Sequence, residues 1–303
     1  MPRHSKIRFG RAATSALAGM ALLTLSGAAV AGPLNDTGIE VCLNHATPTA
    51  TRSLTTVTPS VTCSPMPTHG AQDARYGRDA AAVKGQLTKV GASAGAVSGQ
   101  PNGFDFTKIS NSGARLPADA ALGAGPDDWG CTFDNNTGLL WEVKTSDGGL
   151  RDRKFKYTWF NSQRTATTGG PGVPSSSADA TVDCATAGRC DTEKFVQDVN
   201  SLPGGMCGKT DWRMPTFLEL LNLMDLGRQR AAIDPSYFPN TGDGLGTGGS
   251  NYLYWTGTSA TRGTSGGVAP GAPAVNFFGS PPVFWHYQTP SAAYLVRLVR
   301  RGL

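Results

Sequence analysis

From about residue 103 onward, short apolar runs alternate with turn chemistry, the pattern of a sheet protein with few helices. The clearest unit is Trp129-Gly-Cys-Thr-Phe-Asp-Asn-Asn-Thr-Gly-Leu-Leu-Trp-Glu-Val-Lys144, in which two apolar runs flank Asp134-Asn-Asn-Thr-Gly138. Asp, Asn and Gly accept the backbone conformations a tight reversal needs, so this stretch predicts a β-hairpin. Two stretches switch to helical spacing. After Asp191, a capping residue, Phe195, Val196, Val199 and Leu202 share one helical face, and Pro203-Gly204-Gly205 ends the run. A second helix opens at Thr216, where Thr216 and Glu219 form a capping box. Its apolar face is Phe217, Leu220, Leu221 and Met224, and Gly227 stops it. Strand signals return at 252–257, 274–278 and 294–300, separated by long Gly- and Pro-rich stretches, so most of 257–292 reads as loop. Two short helices beside small antiparallel sheets, with long irregular loops, make an α+β fold.

The N-terminus changes the setting. Arg3, Lys6, Arg8 and Arg11 precede an apolar stretch, 12–30, that closes on Ala29-Val30-Ala31 before Gly32. A basic start, an apolar middle and a small-x-small end predict a secretory signal peptide over 1–31. A membrane anchor needs about 20 strongly apolar residues, and this stretch is diluted by Thr14, Ser15, Gly19, Thr24, Ser26 and Gly27. The cleavage site carries no Cys, which disfavours a lipoprotein, and no later segment reads as a membrane span. The expected location is export to the periplasm, the outer surface or the medium. Cleavage removes four of the 27 basic residues and none of the 22 acidic ones, leaving 23 against 22. The isoelectric point near 8.9 therefore describes mainly the signal. Nucleic-acid binding is not expected, since the only local basic group is Arg297, Arg300 and Arg301. Residues 32–102 are rich in Ala, Gly, Ser, Thr and Pro and lack Trp, which predicts a loop-rich, low-complexity region. All six Trp fall between Trp129 and Trp285, so the folded domain is placed at 103–303.

The six cysteines all lie after the signal. An even count in an exported chain points to disulfides, although sequence alone leaves the pairing open. Proximity along the chain favours Cys42–Cys63 and Cys184–Cys190, which leaves Cys131–Cys207 as the long bridge. No metal site is expected, because there is no C-x-x-C and His45, His69 and His286 fall at no ligand spacing.

With 39 glycines, glycine-based motifs arise by chance. Pro203-Gly-Gly-Met-Cys-Gly-Lys-Thr210 is nearly a phosphate loop, but Pro203 replaces the first Gly and a helix, not a strand, precedes it. Gly244-Leu-Gly-Thr-Gly-Gly249 is followed by no helix. Gly91-Ala-Ser-Ala-Gly95 and Gly263-Thr-Ser-Gly-Gly267 lack the strand and helix that a nucleophile elbow requires. Asp211 and Glu219 are explained by capping or by pairing with Arg213, and Asp134-Asn-Asn by turn chemistry rather than calcium. No catalytic residue and no cofactor are assigned.

Three phrases occur in a specific order: Cys131-Thr-Phe-Asp-Asn-Asn-Thr-Gly-Leu-Leu-Trp-Glu142; Leu202-Pro-Gly-Gly-Met-Cys-Gly-Lys-Thr-Asp-Trp-Arg-Met-Pro-Thr216 with Glu219-Leu220; and Tyr254-Trp-Thr256 followed by Val296-Arg-Leu-Val-Arg300. Gly103-Phe-Asp-Phe-Thr-Lys108 and Asn35-Asp-Thr-Gly38 lead in, in the same style. From about Trp129 to Gly302 the chain resembles the Lcl C-terminal domain family, a domain of unknown function named after the end of a bacterial collagen-like surface adhesin. The resemblance implies a C-type-lectin-like fold, related to formylglycine-generating-enzyme-like folds. The chain departs from that background in lacking a Glu-Pro-Asn or Gln-Pro-Asp calcium phrase, any Cys after Cys207, and collagen-like repeats. Sugar binding through calcium, oxidase activity and the adhesin's ligand are therefore not carried over.

The phrases themselves read as scaffold, with Trp141, Trp212 and Trp255 as core. The functional expectation is a non-enzymatic binding or adhesin-type module of the envelope or surface, with an unknown glycan or protein ligand. Its candidate ligand-binding residues are Phe284, Trp285 and Tyr287, an aromatic cluster between Gly279-Ser-Pro-Pro282 and Gln288-Thr-Pro290. A structural envelope protein, or an envelope enzyme of unknown reaction, is the alternative.

Overall fold

The computed structural model describes residues 35–38, 41–44, 56–59, 76–93, 102–175, 183–228, 231–246, 248–264, 267–278, 286–288 and 290–303. The predicted signal peptide, Cys63, Phe284 and Trp285 lie outside the described residues. The described strands are β1 (Val41–Asn44), β2 (Thr56–Pro59), β3 (Phe106–Ser110), β4 (Arg115–Leu116), β5 (Trp129–Asp134), β6 (Leu139–Glu142), β7 (Leu253–Trp255), β8 (Ala260–Thr264), β9 (Gly267–Asn276), β10 (His286–Gln288) and β11 (Val299–Arg301). The helices are α1 (Arg78–Val83), α2 (Thr192–Asn200) and α3 (Phe217–Leu221). β1 and β2 pair with each other. β11-β6-β5-β3-β4 form one antiparallel sheet, and β10-β9-β7 a second, with β8 also on β9. Mixed short helices and small antiparallel sheets are an α+β architecture.

The expected hairpin is β5–β6, with Asp134 opposite Leu139. Its turn is held by the Asp134 carboxylate, which accepts from the Asn136 and Thr137 amides at 2.9 and 3.2 Å. Gly138 closes it at φ +70°, where a side chain would strain the backbone. β6 is buried along its whole length because both sheet faces are covered. Leu140 joins one core with Tyr157, Trp159, Phe195 and Trp255. Leu139 and Trp141 join another with Phe104, Phe106, Phe238 and Tyr254. Period-two alternation thus builds two cores on one sheet.

Both helices start where their caps are written. Asp191 accepts from the Lys194 amide at 2.9 Å, and Phe195 and Val199 are buried beneath α2. Thr216 and Glu219 complete a reciprocal capping box at α3. That helix is shorter than its apolar spacing predicts: it ends at Leu221, and Leu223 and Met224 reach the core from beyond its end. At five residues its packing, not its propensity, holds it.

The largest departure is at 257–292. Instead of loop, β8 and ten-residue β9 pair from Ala260↔Gly271 to Thr264↔Gly267, and β10 pairs with β9 from His286↔Ala274 to Gln288↔Ala272. Tyr287 is therefore on a strand, opposite Pro273, and not on a proline-bounded loop. Pro270 and Pro273 concealed this strand, since proline lacks a ladder donor. Pro273 contributes through its carbonyl, which accepts from the Thr256 amide at 3.2 Å and the Thr256 hydroxyl at 2.8 Å.

The composition change near residue 102 is crossed by hydrogen bonds. Ala92 and Phe106 exchange backbone bonds at 2.8 and 2.9 Å. Asp105 accepts from the Val90 and Gly91 amides, and Asp79 from the Gly103 amide. Further upstream, Asn35 donates to Asp134 at 2.7 Å, and Thr37 accepts from the Leu226 amide. Burial in this contact raises the Asp134 carboxyl to about 6.

Two of the expected disulfides are present, Cys131–Cys207 and Cys184–Cys190. The third, Cys42–Cys63, falls outside the described residues. The first closes a separation of 76 residues and the second only 6. If unfolded-chain entropy dominates, removing the long bridge costs about 4–5 kcal/mol and the short one about 2. Urea unfolding of the paired Cys→Ala variants checks this; equal losses would contradict it.

Candidate functional site

The three phrases converge in space. Leu140 and Trp141 of the first pair with Arg300 and Val299 of the third across β6–β11. Arg213 of the second exchanges backbone bonds with Val299 at 3.0 and 2.9 Å. Trp255 donates its amide to Leu295 at 2.9 Å, which ties β7 to the same C-terminal segment. Cys131–Cys207 joins the first phrase to the second covalently.

Glu142 of the first phrase and Arg297 of the third form a buried cluster with nearby Lys144. The Lys144 ammonium donates to Glu142 Oε1 at 2.9 Å, and both side chains are essentially inaccessible. Glu142 Oε2 accepts from the Leu298 amide at 2.8 Å. Arg297 is also fully buried: its Nη1 donates to the Glu142 carbonyl at 2.9 Å and Nη2 to Thr241 Oγ1 at 3.2 Å. The guanidinium lies 5.1 Å from the Phe238 ring centre and 5.3 Å from that of Tyr254, a cation–π contact on each. Burial lowers the Lys144 ammonium pKa, against the pull of Glu142. Burial also pushes the Tyr254 hydroxyl up to about 12. Arg297, which counts as part of a basic group in sequence, is thus an internal residue. No reacting atom could reach this cluster, and its chemistry is structural.

The tryptophans behave likewise. Trp141, Trp159, Trp212 and Trp255 are buried. Trp212 is clamped by Asn200, whose side chain donates to its carbonyl and accepts from its amide, both at 2.8 Å. Trp159 and Trp255 donate their ring N–H groups to Thr256 and Tyr157 carbonyls at 2.8 and 2.7 Å. Asp211 pairs with Arg300, not with Arg213, while Arg213 forks onto both Glu219 oxygens at 2.8 and 2.7 Å.

A family model described as the Lcl C-terminal domain matches residues 130–300. The chain belongs to the Lcl C-terminal domain family. No curated protein and no solved structure was found to match it. In this Lcl C-terminal domain the tryptophans of the three phrases, with Glu142 and Arg297, lie inside, so function is sought on the outer surface.

Among the described residues, clefts open on that surface, and three of them are lined as follows. One, of about 250 Å³, lies between Trp159, Thr192, Val196, Arg213 and Met214. Another, of about 270 Å³, borders β3 at Phe106, Lys108 and Tyr237. The third, of about 390 Å³ and the roomiest of these three, is walled by Arg153, Tyr252 and parts of 231–246. Sequence reading missed all three, because each is assembled from separate segments; only the glycine density of 242–248 hinted at close backbone approach in the third. Of the expected ligand-binding residues, Phe284 and Trp285 lie outside the described residues, and Tyr287 is placed by its backbone alone. Among the described residues no group of three or more His, Cys, Asp or Glu could hold a metal, and no helix is long and apolar enough to cross a membrane.

The buried pair yields a sharp expectation. Lys144→Met should cost roughly 3–5 kcal/mol, because Glu142 is left buried and uncompensated. Adding Glu142→Gln should recover much of the loss, since glutamine keeps an acceptor for the Leu298 amide. Denaturant midpoints of the single and double variants decide; a double variant no better than the single would refute the pairing as the cause.

Proposed function

We propose that this Lcl C-terminal domain is an exported, disulfide-bonded, non-enzymatic binding module of adhesin type, acting at the bacterial envelope or surface. The observation that carries the reading is the burial of Glu142, Lys144, Arg297 and the phrase tryptophans. Those residues belong to the interior, which leaves recognition to other segments that such a scaffold holds in place. Disulfides that close both a long and a short loop suit an oxidising compartment. A C-type-lectin-like fold is part of the proposal, since such folds display irregular segments on a small sheet scaffold. Fold alone does not fix the ligand.

The binding face is assigned to the segment around Phe284, Trp285 and Tyr287, three aromatics in four residues. Aromatic side chains give large contact area at low entropic cost, which favours them as anchors for protein or glycan ligands. The partner is a surface glycan or protein, with no nucleic acid and no cofactor involved.

Glycan and protein arrays probed with the full chain supply the ligand. The double variant Trp285→Ala, Tyr287→Ala should then lose binding while melting within a few degrees of the parent. Trp212→Ala should instead unfold the domain, at a cost of roughly 3–5 kcal/mol. Retained binding, or a melting loss as large as that of the Trp212 variant, would overturn this assignment.

A further inference from the structure

We propose that the cleft between Arg153, the 231–246 segment and Tyr252 is a second ligand site, which takes a small organic carboxylate on the Arg153 guanidinium with its ring or apolar body against Tyr252.

The charges of the other two clefts are spent inside the protein. Arg213 donates to both Glu219 oxygens and to the Met214 carbonyl. Glu193 accepts from the Ser162 amide at 2.6 Å. Lys108 donates to the Ala120 carbonyl at 2.7 Å and sits 4.1 Å from the Trp129 ring centre. Arg153 differs. Its backbone is pinned by its amide, which donates to the Thr145 carbonyl at 3.0 Å; the residue is half-buried, yet its guanidinium has no acceptor among the described residues.

Carboxylates stand close in sequence but are turned elsewhere. Asp152 accepts from the Gly148 and Lys154 amides at 2.6 and 2.9 Å. Asp243 pairs with the Lys156 ammonium at 2.8 Å and accepts from the Leu245 amide. A guanidinium withdrawn partly from water with no anion beside it has lost hydration without a return. Its planar fork matches a carboxylate with two parallel N–H···O bonds.

The walls are shaped around it. Gly244 has φ +79°, and a Cβ there would lie 2.9 Å from Arg153 Cζ, so glycine lets the guanidinium lie on the backbone. A Cβ on Gly242 would come within 2.8 Å of the Tyr252 ring, so the same loop also packs on the aromatic. Pro235 and Pro239 add apolar wall. Asn240 donates Nδ2 to the Lys144 carbonyl at 3.1 Å, so its Oδ1 could serve a hydroxyl on the ligand body but not the carboxylate. About 390 Å³ is small-molecule size. With one cation in the lining, the ligand is a monoanion rather than a polyanion.

The test is an amide chemical-shift titration of the full-length chain with benzoate, benzyl alcohol and inorganic phosphate. Benzoate should shift amides of 240–246 and Tyr252. Arg153→Gln, which breaks no internal hydrogen bond or ion pair, should weaken it about tenfold or more with little change in melting temperature. Benzyl alcohol should bind far more weakly. The Trp285→Ala, Tyr287→Ala variant should bind benzoate normally, which keeps this site separate from the aromatic face. No benzoate shift at the cleft, benzoate binding indifferent to Arg153→Gln, or phosphate binding as tightly as benzoate would each overturn the proposal.

Discussion

The segment 294–301 is where the rest of the structure is joined. Tyr294 exchanges backbone bonds with Tyr157, Leu295 with Leu253 and Trp255, and Val299 with Arg213, while β11 closes the five-stranded sheet on β6. Its side chains alternate in step: Val296 and Leu298 enter one core, Leu295 and Val299 the other. A short stretch thus couples two sheets and two cores. Its neighbours come from residues far apart in sequence, so it can dock only when both sheets exist. Such long-range closure is entropically costly, and the Cys131–Cys207 bridge offsets part of that cost by shortening the unfolded chain's effective loops.

The same segment brings a charge inside. Arg297 lies on the Leu295–Val299 side, between the Phe238 and Tyr254 rings. With Glu142 and Lys144 it makes a cluster whose members hold each other in place. Buried ion pairs rarely add much net stability over apolar packing, but a missing member is expensive. What such a cluster supplies is register: Glu142 bonds both the Lys144 ammonium and the Leu298 amide, so a one-residue slip of the C-terminal segment against β6 would strand a carboxylate and a guanidinium. Surface pairs such as Arg213–Glu219 and Asp211–Arg300 also join segments of the fold, and against them the unspent arginine of the 153 cleft stands out.

How much of this was legible in the sequence follows the range of the interaction. The Asp134 turn, the Asp191 cap and the Thr216–Glu219 box are local chemistry, and each stands where its residues predict. The Cys131–Cys207 pairing came from elimination along the chain. Long-range features were opaque. Arg297 looks like surface charge until the rings that sandwich it arrive from 238 and 254. β9 was hidden by Pro270 and Pro273, because a strand whose partners are distant can accept prolines that local propensity forbids. Beyond the glycines of 242–248 the Arg153 cleft has no motif, since its walls come from 153, 231–246 and 252.

Native-state amide hydrogen exchange tests the central claim, that 294–301 locks both sheets together. The amides of Leu295, Leu298, Val299, Trp255 and Glu142 should exchange only through global unfolding, with one shared free energy and one shared denaturant dependence. Faster exchange of the Leu295, Leu298 and Val299 amides through a local opening, while β3 and β5 stay protected, would contradict it.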